Sequence, residues 1–289
     1  MRITAAIFRK IAAFRFPVLP SVVRIIAGEY RRRLLETPAD AEVTRPIPDR
    51  VKESLFMLLR GHFEGANVFD GFAGTGAIGL EAVSRGAAHC VFAEKHPTIA
   101  GILERNIETL GCGDRCEIVR GDALGPGAIA RCPRPLTLAF LDPPYPLVRE
   151  AIGYKRVMAQ MKALVSLLSD DGYAILRLPH PLWVSRAAPG ATEVAEPVRR
   201  KKGKDRNAWK RELLDDRPRR KNRSTHEEED SVDGAVQDSG QQSGESQSAE
   251  IEKDLADLKV EGAVGPESHV YHNMAVHFYM RDRSVSAGS

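Results

Sequence analysis

Apolar and polar positions between Asn67 and Leu178 alternate between two rhythms. Short, nearly continuous apolar runs predict buried strands at Val68–Asp70, Cys90–Glu94, Cys116–Arg120, Leu136–Leu141 and Tyr173–Leu178. Helical spacing separates several of them. Ala77–Arg85 reads as a helix, and another opens at Pro97 with Ile99, Ile102, Leu103, Ile107 and Leu110 on one face. A third spans Arg149–Leu168, with Met158, Met161, Leu164, Val165 and Leu168 inward and Asp171-Gly172 as the break before the fifth strand. Strand–helix alternation with short turns predicts a doubly wound α/β sheet.

Upstream, the pattern predicts a short strand at Val22–Ile26 with a turn at Gly28. A helix follows the Arg45-Pro46-Ile47-Pro48-Asp49 run, with Val51, Leu55, Leu58 and Leu59 as its inner face. Pro48 suits the first turn, where its missing N–H has no partner to lose. Downstream the rhythm stops at residue 199. Residues 199–268 hold a basic run, an acidic run and a Ser/Gln/Gly tract at Ser239–Ser248, with few large apolar residues to offset the entropy of ordering. This stretch is read as a disordered insertion, and order resumes with a strand at Val270–Met280. Residues 191–198 and 270–280 are then the two arms of a β-hairpin with the insertion at its tip, so removing 203–266 is expected to leave the fold intact. The resulting organisation is an amphipathic or disordered extension at 1–20, a folded domain at 21–198 plus 269–282, and the charged insertion.

Composition narrows the class. Hydrophobic residues make up 43% of the 289-residue chain, enough for a sizeable core. No apolar run approaches the roughly 18 residues that span a bilayer, so no membrane association is expected. The basic start has Arg9, Lys10 and Arg15 where a secretory signal would be apolar, so a cytoplasmic, monomeric protein is expected. Cys90, Cys112, Cys116 and Cys132 form no paired framework, and a single C-x3-C is weak evidence for zinc, so no metal is expected. The net charge of +3 conceals strong asymmetry. Residues 1–60 carry 12 Lys/Arg against 6 Asp/Glu, residues 199–223 carry 13 against 4, and residues 224–261 carry 2 against 12. Basic blocks of this kind suit nucleic-acid phosphate.

Two motifs carry chemistry. Asp70-Gly71-Phe72-Ala73-Gly74-Thr75-Gly76-Ala77-Ile78-Gly79 lies where the first strand meets its helix, and its glycines let backbone approach a ligand. Gly74-x-Gly76-x-x-Gly79 also satisfies the dinucleotide-binding pattern, as does Glu94 at the end of the second strand, placed to accept hydrogen bonds from ribose hydroxyls. Asp142-Pro143-Pro144-Tyr145 breaks the ambiguity. It ends the fourth strand, at the ligand-binding edge of such sheets. A base amino group is a poor nucleophile because its lone pair is delocalised into the ring. A carboxylate and a neighbouring carbonyl that accept both N–H bonds localise that pair. The prolines stiffen the backbone that carries the carbonyl, and an aromatic gives a base a stacking face.

These residues resemble the bacterial small-subunit rRNA guanine-N2 methyltransferases, the RsmD-type family, over about Arg24–Leu178 and Val270–Met280. Arg24-Ile25-Ile26-Ala27-Gly28-Glu29-Tyr30-Arg31-Arg32-Arg33 is similar to that family's opening segment, and Arg45-Pro46 with Asp49-Arg50-Val51-Lys52-Glu53 to its next signature. The resemblance implies a Rossmann-like class I S-adenosylmethionine-dependent methyltransferase. It implies cofactor contacts from Asp70, Phe72, Gly74, Gly76, Glu94 and Asp122, and catalysis by Asp142, Pro143, Pro144 and Tyr145. Within an RNA-contacting segment at 21–60, Arg24, Arg31, Arg32, Arg33, Arg45 and Arg50 would approach ribosomal RNA, free or within an assembling small subunit. Two departures stand out. Ile47-Pro48 replaces a pair of threonines, and His272-Asn273-Met274 replaces Gly-Asp-Thr.

Three rivals use parts of the same pattern. A DNA adenine-N6 methyltransferase would share the Asp142–Tyr145 chemistry but needs a target-recognition domain for which no apolar sequence remains. A nicotinamide-dependent dehydrogenase leaves Asp142–Tyr145 unexplained. A non-catalytic RNA-binding assembly factor on the same fold would not need Asp142.

Overall fold

The computed structural model describes residues 23–38, 47–185 and 253–284. The expectations for 1–20, Arg45, the 191–198 hairpin arm and the charged stretch up to 252 lie outside these residues. Five strands run parallel: β3 (Asn67–Gly71), β4 (His89–Glu94), β5 (Cys116–Arg120), β6 (Leu136–Leu141) and β7 (Leu168–Pro179). The antiparallel β11 (Met274–Arg281) and β10 (Ala263–Tyr271) extend the sheet in the order β10-β11-β7-β6-β3-β4-β5. The direction of winding reverses between β3 and β6, which makes their carboxyl ends the switch point where such sheets bind ligands.

Both faces of the sheet are covered at its centre, which is why β3, β4 and β6 are largely apolar on both sides. Leu138 and Phe140 of β6 face a layer formed with α1 (Asp49–Leu58), α2 (Gly79–Ser84) and α3 (Pro97–Leu110). Ala139 and Leu141 face the layer of α4 (Pro126–Arg131), α5 (Tyr145–Arg149) and α6 (Ala151–Leu167). α3 has the sequence signals of a well-terminated helix. Pro97 occupies its first turn and Gly111 ends it at φ 69°, a left-handed cap. All five apolar residues expected on its inner face are buried.

Several local expectations are corrected. Leu58 is exposed, and Lys52 and Phe56 take inner positions of α1 instead. Asp171-Gly172 does not end an element; β7 runs through it from Leu168, and the irregularity is absorbed as a register shift against Leu136 and Leu138 of β6. The long helix starts at Ala151 rather than Arg149, because Glu150 is extended and separates it from the short α5. The last strand pairs with Ala263–Tyr271 through a turn at His272-Asn273, so the hairpin lies within 263–281. Residues that the sequence assigns to the insertion already form a strand, because β8 (Trp183–Ser185) pairs with β9 (Lys253–Leu255), Ser185 opposite Lys253. The chain on either side of 186–252 therefore meets at adjacent positions of one ribbon.

The N-terminal segment is fastened by a polar clip. β1 (Val23–Arg24) pairs with β2 (Leu34–Leu35), and the turn between them lies on α2. Ile26 and Ala27 N–H donate to the buried Glu81 carboxylate at 2.7 and 3.0 Å, and Tyr30 N–H donates to Ser84 Oγ at 2.9 Å. Lys52, fully buried, sits 3.5 Å from Glu81 and donates to Arg24 O at 2.7 Å. Gly28, at φ 85°, lies so close to α2 that a Cβ would stand 1.8 Å from Ser84 O; no other residue fits there. Among the described residues no helix is long and apolar enough to cross a membrane.

Candidate active site

The parallel register delivers the chemistry-bearing residues to one edge. Gly71 pairs with Ala93 on one side and Leu141 on the other, so the turn after β3 lies between Glu94 and Asp142. Phe72 turns the chain in a left-handed conformation, φ 62°, uncommon for a non-glycine residue and found most often at functional turns. Ala73 N–H then donates to Ala93 O at 3.1 Å and Gly74 N–H to Glu94 Oε2 at 3.0 Å. His96 N–H donates to the other Glu94 oxygen at 2.7 Å. Glu94 is thus braced by backbone while half-exposed, and a carboxylate so held keeps further lone pairs for a diol.

Asp70 is placed differently. It is buried beneath the turn and accepts Gly79 N–H at 2.8 Å, which ties β3 to the start of α2. A Cβ on Gly79 would meet Phe92 at 2.3 Å and Asp70 Oδ2 at 2.9 Å, so a glycine is required for this approach. Burial pushes the Asp70 carboxyl up to about 7, against the Gly79 bond and with the repulsion of Asp142 and Glu94. Asp122, after β5, is exposed; its Oδ1 accepts Leu124 N–H at 3.0 Å and its Oδ2 pairs with Arg156 at 2.7 Å. Burial opposes its ionisation, but these two partners outweigh it and hold its carboxyl below the usual range.

Asp142 follows β6 directly, and its N–H donates to Gly71 O at 3.4 Å. Pro143 is buried, Pro144 is exposed and Tyr145 opens α5 half-buried. A partner that sequence reasoning overlooked meets Asp142 from β7. Arg177 Nε and Nη2 each donate to one oxygen of the Asp142 carboxylate, both at 2.6 Å. The two side chains are 12% and 17% exposed, and the Arg177 guanidinium lies 6.0 Å from the Tyr145 ring centroid. The signal was present: Arg177 is the single charge in an otherwise apolar Ala174–Leu178 run. Asp142 and Arg177 border a small cavity that Ile47, Leu55 and Val276 also line.

Of the arginines expected at RNA, Arg24 and Arg31–Arg33 lie on the exposed side of the clip and Arg50 on α1. Arg24 is 3.5 Å from Asp49, Arg33 donates to Thr109 O at 3.2 Å, and Arg31, Arg32 and Arg50 are exposed. Cys90, Cys112, Cys116 and Cys132 are free thiols.

The chemistry of this edge fits S-adenosylmethionine. Carboxylates from four strand ends surround the β3 turn, where a cationic sulfonium and a ribose diol each find acceptors. A Cβ on Gly74 or Gly121 would meet nothing within 4 Å, which leaves open space beside the backbone.

A family model described as Conserved hypothetical protein 95 matches residues 23–194. Over 151 residues the chain is 34% identical to the Escherichia coli (strain K12) Ribosomal RNA small subunit methyltransferase D, covering 52% of this chain and 69% of that protein. The Haemophilus influenzae protein of the same name is 39% identical over 124 residues, 43% of this chain and 64% of its own length. The solved structure of Escherichia coli yhhF superposes with a TM-score of 0.52 at 21% identity, covering 90% of this chain and 98% of that one.

Proposed function

The chain belongs to the family described as Conserved hypothetical protein 95, and from that premise we propose that it transfers a methyl group from S-adenosylmethionine to the exocyclic N2 of a guanine in small-subunit ribosomal RNA. The observation that carries the reading is the Asp142-Pro143-Pro144-Tyr145 loop, seated at the switch point beside a glycine turn that Glu94 braces. The names of the curated relatives support ribosomal RNA as the substrate class.

In this reading the Phe72–Gly76 turn and Glu94 hold the cofactor's amino-acid and ribose parts, Asp122 holds its base, and Asp70 shapes the turn from beneath. The cofactor, when bound, supplies an activated methyl on a sulfonium. Asp142 and the Pro143 carbonyl accept the two N–H bonds of the target amino group, which turns its lone pair toward that methyl. Transfer would then be an in-line displacement, the N2–methyl bond forming as the methyl–sulfonium bond breaks and one N–H proton passing to Asp142 or water, with alignment supplying most of the acceleration. Tyr145 offers its face to the extruded base, a contact of about 1–3 kcal/mol. Arg24, Arg31, Arg32, Arg33, Arg45 and Arg50 meet phosphate, with the clip on α2 setting the orientation of the turn that carries most of them.

The test is transfer of radiolabelled methyl from S-adenosylmethionine to small-subunit rRNA, supplied both naked and in assembling particles, followed by nucleoside digestion. Label in N2-methylguanosine is expected. Label in N6-methyladenosine would reassign the target base, and absence of label in every substrate would overturn the reading.

A further inference from the structure

The pairing of Arg177 with Asp142 adds a residue to this chemistry, on the premise of the proposed function. β7 lies parallel to β6 with Leu176 opposite Leu141, so the next residue of each strand, Arg177 and Asp142, emerge side by side. Arg177 uses Nε and Nη2, the side-on fork of the guanidinium, to grip both carboxylate oxygens. A planar fork fixes the plane of a carboxylate as well as its position, which a point charge does not. The same guanidinium lies over Tyr145, while Nη1 rests 3.6 Å from Met274 Sδ on β11. One rigid group therefore spans the carboxylate that receives the amino group and the ring that receives the base.

The grip leaves the chemistry free to proceed. A carboxylate has about four lone-pair sites, and the fork takes two of them. The target N–H therefore has an acceptor whose direction is already set. Without the fork, Asp142 would be a partly buried carboxylate free to rotate about its own bond and to be drawn toward other donors. We propose that Arg177 is a positioning residue for methyl transfer, aligning the Asp142 carboxylate and the Tyr145 ring through a single guanidinium.

The decisive variant is Arg177→Lys, which keeps the charge and removes the fork. Misplacement of a reacting group by about 1 Å costs on the order of 100-fold, so kcat is expected to fall by about tenfold or more. The dissociation constant for S-adenosylmethionine and the melting temperature should stay close to wild type, because neither depends on the carboxylate plane. Arg177→Met should fall further in kcat, and its effect should be strongly non-additive with that of Asp142→Asn, since both act on one ion pair. If Arg177→Met does not fold, the lysine variant alone decides. A kcat for Arg177→Lys within about twofold of wild type, or an effect confined to melting temperature and KM, overturns the inference. Failure of the wild-type protein to methylate any RNA would instead overturn the proposed function, so the two failures are distinct.

Discussion

In the proposed function, single side chains at the sheet edge divide into those that face a ligand and those that hold others in place. Asp142→Ala should abolish methyl transfer while S-adenosylmethionine affinity stays near wild type, because its proposed partner is the target amino group; it should also lower the melting temperature, because the largely buried Arg177 loses its partner. Wild-type turnover in the radiolabel assay would refute the role. Glu94→Ala should weaken S-adenosylmethionine binding about tenfold or more by calorimetry, since a hydrogen bond to a charged group contributes roughly 1.5–3 kcal/mol. Asp70 is a strut, and its burial has a consequence for pH dependence. Its folded-state carboxyl titrates near 7 against an ordinary value of 3.8, so folding favours the protonated form. Its contribution to stability is fully present below about pH 4 and is lost as pH rises through about 7. Asp70→Asn keeps an acceptor for Gly79 N–H and removes the titration. The variant should match wild type at pH 4 and gain on it up to pH 8, by at most ~4 kcal/mol at about 1.4 kcal/mol per unit. Parallel denaturation curves for the two proteins across this range would show that Asp70 is already ionised in the fold.

The short β1–β2 ribbon illustrates how a marginal element is made rigid. Two paired residues in each strand cannot hold a turn by themselves. Its stability comes from Glu81, which collects Ile26 N–H, Ala27 N–H, Arg85 and Lys52 on one fully buried carboxylate. Burial lowers the Lys52 ammonium below its ordinary range, against the attraction of Glu81 and Asp49. Removing one partner of a buried pair strands the other charge, at a cost of about 3–5 kcal/mol. Glu81→Ala should therefore lower the melting temperature strongly and release the arginine turn. RNA binding should weaken more than cofactor binding does. A melting temperature within a degree or two of wild type would mean that the clip is dispensable.

For the chain taken whole, the pairing of Ser185 with Lys253 bears on how the insertion can be removed. A cut at 203–266 would delete β9 and the first residues of β10, so it would damage the sheet it was meant to spare. Joining Ser185 to Lys253 through a short Asn-Gly turn preserves the ribbon. That deletion should leave melting temperature and methyl transfer on short RNA near wild type. Because it removes 13 Lys/Arg between 199 and 223, RNA affinity should fall. The slope of log affinity against log salt should become shallower by about 0.7 for each phosphate that the shortened chain no longer neutralises. An unchanged slope would show that the basic block takes no part in binding.

How much of this was legible in the sequence follows from the range of the forces involved. Strand β6 and the buried face of α3 were readable residue by residue, because their periodicity reports burial directly; β5 has the expected bounds but, as an edge strand, is only partly buried. The Asp70–Gly79 turn and the Asp142–Tyr145 loop were readable because local spacing encodes them and the parallel fold sends both to one edge. The β10–β11 hairpin was misjudged because Ala263–Tyr271 is mostly exposed on an edge strand, so its sequence carries little apolar pattern. The break assigned to Asp171-Gly172 was absorbed by a neighbour's register, which composition does not encode. Arg177 stood in plain view as a charge in an apolar strand, yet its partner lies 35 residues away. Local physics, periodicity and turn chemistry, was written along the chain. The pairings of Arg177 with Asp142, Glu81 with the β1–β2 turn, and Ser185 with Lys253 were decided by tertiary structure, because register between distant segments arises only when the sheet closes and buries them together.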